Sequence, residues 1–182
     1  MISTITYGEG VTTIPAEAWA GKDTITTVNL PSTLVTINGG AFGNTGITSI
    51  NLPNGLETIG YDAFDSTGLT SVTIPSTVTS IGDRAFAFTN ISSVIIPSSV
   101  TSIGNAVFYS CYNLTNVTIN TNTDIRYEYY LDFCPITTVT YGEGVTSIPE
   151  NAWCNCNALT TINLPSTLIS IGAQAFMMTS NL

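Results

Sequence analysis

Apolar residues recur along this chain with a fixed period. Aligned on a leucine or isoleucine followed by two small polar residues, units begin at Ile2, Ile25, Ile47, Leu69, Ile91, Leu114, Ile136 and Leu159, spaced by 22 or 23 residues. Leu182 falls where a ninth unit would begin. The fourth position of each unit reads Ile5, Val28, Ile50, Val72, Val94, Val117, Val139 and Ile162. The sixth reads Tyr7, Leu30, Leu52, Ile74, Ile96, Ile119, Tyr141 and Leu164. Thr, Ser or Asn usually lies between them, which is the period-two alternation of a half-buried strand. The seventh position is proline in five units (Pro31, Pro53, Pro75, Pro97 and Pro165), and a residue without an N–H stops a ladder.

A second apolar pair follows, as in Val78 and Ile81 or Val100 and Ile103. Gly60, Gly82, Gly104 and Gly172 come next and are expected to serve a tight bend. An Ala-aromatic pair closes the unit at Ala41-Phe42, Ala63-Phe64, Ala85-Phe86, Ala152-Trp153 and Ala175-Phe176. One such unit cannot bury its apolar side alone, but stacked units align equal positions into ladders and share a core. The pattern therefore predicts a repeat solenoid of about eight coils, with a parallel sheet along one side. At roughly 4.8 Å per step the coils span about 38 Å. Helix is limited to at most a short turn around the Ala-aromatic pair. The units leave no linker, so residues 1–182 read as one domain.

The run Leu-x-x-Val-x-Ile-Pro-x-x-Val-x-x-Ile-Gly-x-x-Ala-Phe, as in Leu69 to Phe86, resembles the BspA-like (Treponema pallidum type) leucine-rich repeats. The resemblance covers residues 2–182, and seven of the eight units fit it. It implies a right-handed leucine-rich-repeat solenoid. It also implies a non-enzymatic, cell-surface or secreted protein that adheres to an extracellular protein or glycan.

Two departures stand out. The sixth unit loses the pattern after Ile119, with Asn120 in place of proline, Arg126 in place of isoleucine and Tyr130-Leu131 in place of Ala-Phe. The first and seventh units share a variant, Tyr7-Gly8-Glu9-Gly10-Val11 and Tyr141-Gly142-Glu143-Gly144-Val145. Their closeness points to a six-unit super-repeat, and neither end shows the polar cap that solenoids usually need. The chain reads as a segment of a longer solenoid.

Composition narrows the partners. Twelve acidic and three basic residues give a net charge of −9, and there is no histidine. Phosphate neutralisation needs Lys and Arg, so the acidic balance argues against nucleic acid and anionic membrane surfaces as partners. Solvation falls to 31 Thr, 17 Ser and 16 Asn. Met1 to Trp19 lacks a basic stretch followed by an apolar run, so no signal peptide is expected there, although an export signal can lie in flanking sequence. No apolar run approaches the ~18 residues of a membrane span.

Without histidine, Ser-His and Cys-His nucleophile pairs are ruled out. Asp65-Ser66-Thr67-Gly68 has the look of an aspartic-protease loop, but it occupies ordinary repeat positions and has no second loop to face it. Asp62 and Asp83, in successive bends, are a candidate carboxylate pair, against the commoner reading of solvated loop acids. Gly8-x-Gly10 and Gly142-x-Gly144 lack the helix and the rest of a nucleotide fingerprint. Cys111, Cys134 and Cys156 share position 21 of consecutive coils, where four other units have Thr45, Thr67, Thr89 and Thr179. They are expected to pack as small apolar groups, with a disulfide between neighbouring coils as the alternative. Asn120-x-Asn122-x-Asp124 opens like a calcium loop but lacks its glycine and its closing glutamate. No cofactor or metal site is expected.

The strand face is the stronger candidate. Its outward third and fifth positions form the columns Thr4/Thr6, Thr27/Asn29, Ser49/Asn51, Ser71/Thr73, Ser93/Ile95, Asn116/Thr118, Thr138/Thr140 and Thr161/Asn163. Such an uncharged hydroxyl and amide array suits adhesion by many weak hydrogen bonds. The same residues also serve strand propensity and solubility. Paired threonine columns further admit a minor ice-binding reading, which the Asn and Ile interruptions weaken. In the divergent sixth unit, Arg126, Tyr127, Tyr129 and Tyr130 supply a second candidate contact site, because Arg and Tyr are favoured at hot spots. An eroded repeat whose tyrosines fill the core is the competing account. The alternative to adhesion is a structural spacer within a larger surface protein or assembly.

Overall fold

The computed structural model describes residues 2–123 and 134–182. The repeat units form stacked coils, numbered here one to eight from the unit starts. Each described coil has three sides, and no helix occurs among the described residues.

The first side carries the predicted strand. Its members are β1 (Thr4–Thr6), β3 (Thr27–Asn29), β7 (Ser93–Ile96), β9 (Asn116–Ile119), β10 (Thr138–Tyr141) and β12 (Thr161–Asn163). All pairings are parallel, with equal repeat positions opposite one another: Ile5 to Val28, Val94 to Val117, Val117 to Val139 and Val139 to Ile162. The second apolar pair of each unit builds a shorter second side that the period-two reading did not assign as strand. It consists of β2 (Thr13–Ile14), β4 (Thr36–Ile37), β5 (Thr58–Ile59), β6 (Ser80–Ile81), β8 (Ser102–Ile103), β11 (Ser147–Ile148) and β13 (Ser170–Ile171). Five of these form one parallel sheet in the order β2-β4-β5-β6-β8, and β11 pairs with β13.

The single sheet expected along the first side is broken. It consists of β1-β3 and, separately, β12-β10-β9-β7, with no strand at the equivalent positions of coils three and four. The break goes with the length of the turn before the strand, except that coils six and seven, also spaced by 22 residues, pair fully through β9 and β10. From aromatic residue to next unit start, Trp19 to Ile25, Phe108 to Leu114 and Trp153 to Leu159 are six residues, and a ladder forms across each. Phe42 to Ile47, Phe64 to Leu69 and Phe86 to Ile91 are five residues, and no ladder forms across them. Across these steps the bonds are long, such as Thr70 N–H to Thr48 O and Ser92 N–H to Thr70 O, both at 3.3 Å.

The third side is a run of tight turns holding the Ala-aromatic pair. Left-handed residues recur four apart, such as Asp62 and Ser66 (φ +49° and +55°) or Arg84 and Phe88 (φ +53° and +56°). Alternate amides reach the following coil: the N–H groups of Asp62, Phe64 and Ser66 donate to the carbonyls of Asp83, Ala85 and Ala87 at 2.8–2.9 Å. The backbone of this side is thus satisfied without strand or helix.

The expected role of the repeated glycines needs correcting. Gly60, Gly82, Gly104 and Gly172 do not have the positive φ of a glycine-requiring bend. A Cβ at Gly60 would lie 2.5 Å from Gly39 N, and one at Gly82 would meet Tyr61 N. Close approach of successive coils demands these glycines, while the left-handed positions two residues later carry Asp62, Arg84 and Gln174.

Between the three sides lies one continuous core. Phe42, Phe64, Phe86 and Phe108 stack along the axis with centroids 5.4–5.7 Å apart and planes within 7–12°. Each fully buried Phe contributes ~1.5–3 kcal/mol by removal from water.

Candidate functional site

The alternation on the first side puts Ile50, Leu52, Val72 and Ile74 inside, so Ser49, Asn51, Ser71 and Thr73 stand outside despite the missing ladder. Thr27, Asn29, Ser93 and Asn116 are exposed as expected, and Thr118, Thr138 and Thr140 are half-buried. Registration is residue by residue: Thr4 faces Thr27, Ser93 faces Asn116, and Thr140 faces both Thr118 and Asn163. Some of the amides lie along the face, since Asn29 Nδ2 donates to Thr6 Oγ1 at 3.1 Å and Asn163 Nδ2 to Thr140 Oγ1 at 3.0 Å. Ile95 is 58% exposed in the middle of the column, the one apolar side chain among its polar counterparts. Arg126, Tyr127, Tyr129 and Tyr130 lie outside the described residues.

The remaining candidates resolve into structural roles. None of the four cysteines forms a disulfide. Thr45, Thr67 and Thr89 hydroxyls donate to the carbonyls of Phe42, Phe64 and Phe86 at 2.7–2.9 Å. Cys111 and Cys134 continue that column, their thiols reaching Phe86 O and Phe108 O at 3.2 and 3.3 Å. Burial holds the Cys111 thiol above its ordinary value and pushes Cys134 up to about 11, so both stay protonated and unreactive. Asn122 spends its amide on coil seven, accepting from Thr146 N–H at 2.8 Å and donating to Gly144 O at 3.1 Å. Asp124, the other end of that calcium-like run, lies outside the described residues. No group of metal-ligating residues occurs among the described residues.

Asp62 and Asp65 pair with Arg84, and Asp83 lies near Asp62. Arg84 Nη2 donates to Asp65 Oδ1 at 2.9 Å, and its Nε lies 3.2 Å from Asp62 Oδ1. Ser66 Oγ donates to Asp65 Oδ2 at 2.8 Å, which ties up the protease-like loop. Asp83 Oδ1 accepts from Asn105 N–H at 2.7 Å. Burial raises the Asp62 carboxyl, opposed by Arg84 and reinforced by Asp65 and Asp83. An ion-paired cluster on the turn side thus replaces the candidate carboxylate pair. Phe88 sits beside it, with the Arg84 guanidinium 5.6 Å from its ring centroid and Tyr109 edge-on at 5.1 Å. The sequence reading missed this group. Its signal was an aromatic residue at position 20, shared in sequence with Phe133 of the divergent sixth unit, where the others place Gly21, Asn44, Ser66, Ser110, Asn155 and Met178.

Comparison with known proteins agrees with this architecture. The pneumococcal vaccine antigen PcpA has a TM-score of 0.55 and 20% identity, over 91% of this chain and 51% of that one. The T. pallidum leucine-rich-repeat protein gives 0.54 and 21%, over 99% and 78%. A leucine-rich cell surface protein from Faecalibacterium prausnitzii A2-165 gives 0.50 and 23%, over 96% and 58%. The chain therefore spans only about half the length of two of these three proteins. At these identities the likeness establishes the fold. A search of the curated proteins found no match. The family model for the BspA-type leucine-rich-repeat region, in six copies, matches residues 1–113 and 79–182, and the chain belongs to that family.

Proposed function

We propose that this chain is a non-enzymatic binding module, acting at the cell surface or outside the cell, that adheres to a protein or glycan through its strand face. The observation that carries the reading is the array of uncharged, outward side chains from Thr4 to Asn163, held in register by ladders across coils one and two and coils five to eight. A stacked scaffold fixes their spacing before contact, so little ordering entropy is lost on binding. The family membership supports a repeat scaffold for binding, and one of the similar structures is described as a cell surface protein. No helix among the described residues is long and apolar enough to cross a membrane. Net charge of −9 directs the partner away from nucleic acid. Ile95 and the break in the ladder at coils three and four weigh against lattice-matched ice binding.

The test is binding of the purified chain to immobilised matrix proteins, glycans and whole cells, with the double variant Ser71→Lys/Thr73→Lys alongside. Both side chains are exposed, so the variant keeps its fold. Saturable binding lost in the variant is the expected result. A folded chain that binds nothing, or a variant that binds equally well, favours the spacer.

A further inference from the structure

We propose that the turn side of coils three to five carries a second recognition site, distinct from the strand face: a docking surface for a basic segment of a protein partner, centred on Phe88.

Phe88 is unfavourable twice over. It is 41% exposed, and it occupies the left-handed region at φ +56°. A bulky residue is an outlier there, whereas asparagine is enriched. The same position holds Asn44 in coil two and Asn155 in coil seven, at φ +56° and +65°. The coil does not need the ring. Its neighbours Ala87 and Thr89 are buried, and Thr89 makes the same hydroxyl bond to the preceding aromatic carbonyl as Thr45 and Thr67. What holds the ring is outside the core: Arg84 at 5.6 Å and the edge of Tyr109 at 5.1 Å. Exposed aromatic side chains beside an arginine have the composition of an interface hot spot.

Charge selects the occupant. Arg84 is one of only three basic residues in the chain, and it is fixed by Asp65 and Asp62. Two carboxylates, Asp62 and Asp65, face that one guanidinium, and Asp83 lies near enough to Asp62 to act on it, so the patch remains negative. Asp62 Oδ1 is shielded from water and no donor reaches it among the described residues, while 42% of the Asp62 side chain remains open to solvent. An incoming Lys or Arg side chain can place its charge near the aromatic rings and a donor on that carboxylate. The whole chain, at −9, steers such a partner inward. A neutral sugar would use the ring but not the charge, and Arg84 is already committed to carboxylates.

The experiment uses immobilised short peptides, each with two Arg or Lys residues flanking one apolar residue. Matching peptides with Gln for the basic residues and an array of neutral glycans run alongside. The wild-type chain is compared with Phe88→Asn and with Ser71→Lys/Thr73→Lys. Phe88→Asn installs the side chain that coils two and seven already tolerate and leaves net charge unchanged. The expected result is binding of basic peptides only, weakened about tenfold by Phe88→Asn. Ser71→Lys/Thr73→Lys should retain the Phe88-dependent component, which separates this site from the strand face. Equal binding by Phe88→Asn would mean attraction by bulk charge and would overturn the proposal. So would a wild-type chain that binds none of the peptides, or Phe88-dependent binding of a neutral glycan.

Discussion

Coils one and seven are nearly the same sequence in two settings. Their local geometry is the same. Trp19 Nε1 donates to Tyr7 OH at 2.6 Å, and Trp153 Nε1 to Tyr141 OH at 2.7 Å. Gly10 and Gly144 both have φ of +95°, and their N–H groups donate to Thr33 and Thr167 hydroxyls at 2.9 Å. The Glu9 carboxylate accepts from Ser32 N–H and Oγ at 3.1 and 2.9 Å, and Glu143 accepts from Ser166 at 3.0 and 2.9 Å. Burial differs. Trp153 is 1% exposed and Tyr141 and Val145 are buried, whereas Trp19, Tyr7 and Val11 are only half-buried. Every intercoil bond just named goes to the following coil, two or eight. The geometry these bonds share is therefore set by a coil and its successor, while a predecessor completes burial and, in coil seven, adds the Asn122 bonds to Gly144 and Thr146. Stability here is a sum over neighbours.

The largest break in the symmetry is expected at tryptophan. Trp153→Ala should lower unfolding free energy by about 3–5 kcal/mol, because a fully buried ring leaves a cavity between packed coils. Trp19→Ala removes a half-exposed ring and should cost about 1–2 kcal/mol. Denaturant unfolding of the two variants measures the difference. Equal losses would show that the predecessor coil contributes nothing to coil seven.

Next is the hydroxyl that each tryptophan meets. Tyr141→Phe leaves a buried indole N–H without its acceptor, which costs about 1–3 kcal/mol, while water replaces the hydroxyl at Tyr7→Phe for less. Alkaline pH probes the same pair without mutation. Burial raises the Tyr141 hydroxyl well above its ordinary value of 10.0, with the bond from Trp153 opposing. The folded chain then holds a proton that the unfolded chain releases. Stability from this group is complete below pH 10 and falls as pH rises beyond it. Tyr141→Phe should flatten that alkaline loss, as read from unfolding midpoints across pH 9 to 11.

The period in the sequence made the core legible. Ile, Val and Phe at fixed positions predicted which side chains stack, and equal positions do face one another across the ladders. The outward columns followed from the same alternation. What was hidden depends on the distance between coils rather than on a side chain. Gly82 looks like a bend residue until the next backbone is seen against it. The missing ladder at coils three and four goes with the 22-residue spacings from coil two to coil five, but the same spacing between coils six and seven carries a full ladder, so spacing alone did not reveal the break. Phe88, Arg84 and Asp65 belong to two coils and meet only through stacking.

The smallest expected effect tests the identity of the two settings rather than their difference. Glu9 and Glu143 are both fully exposed, and both carboxyls are held below their ordinary value, first by the backbone N–H and then by the side chain of the serine one coil on. Neither depends on a preceding coil. Their folded-state titrations, followed by carboxyl NMR shifts, should therefore coincide below 4.5. A depressed carboxyl stabilises the fold above its unfolded value and loses that contribution as pH falls. Ser32→Ala and Ser166→Ala remove the hydroxyl but keep the N–H, and should raise each glutamate only partway. If the two titrations separated in the parent chain, the predecessor coil would be acting on local geometry as well as on burial. The division between a successor that sets conformation and a predecessor that completes burial would then fail at its most exposed point.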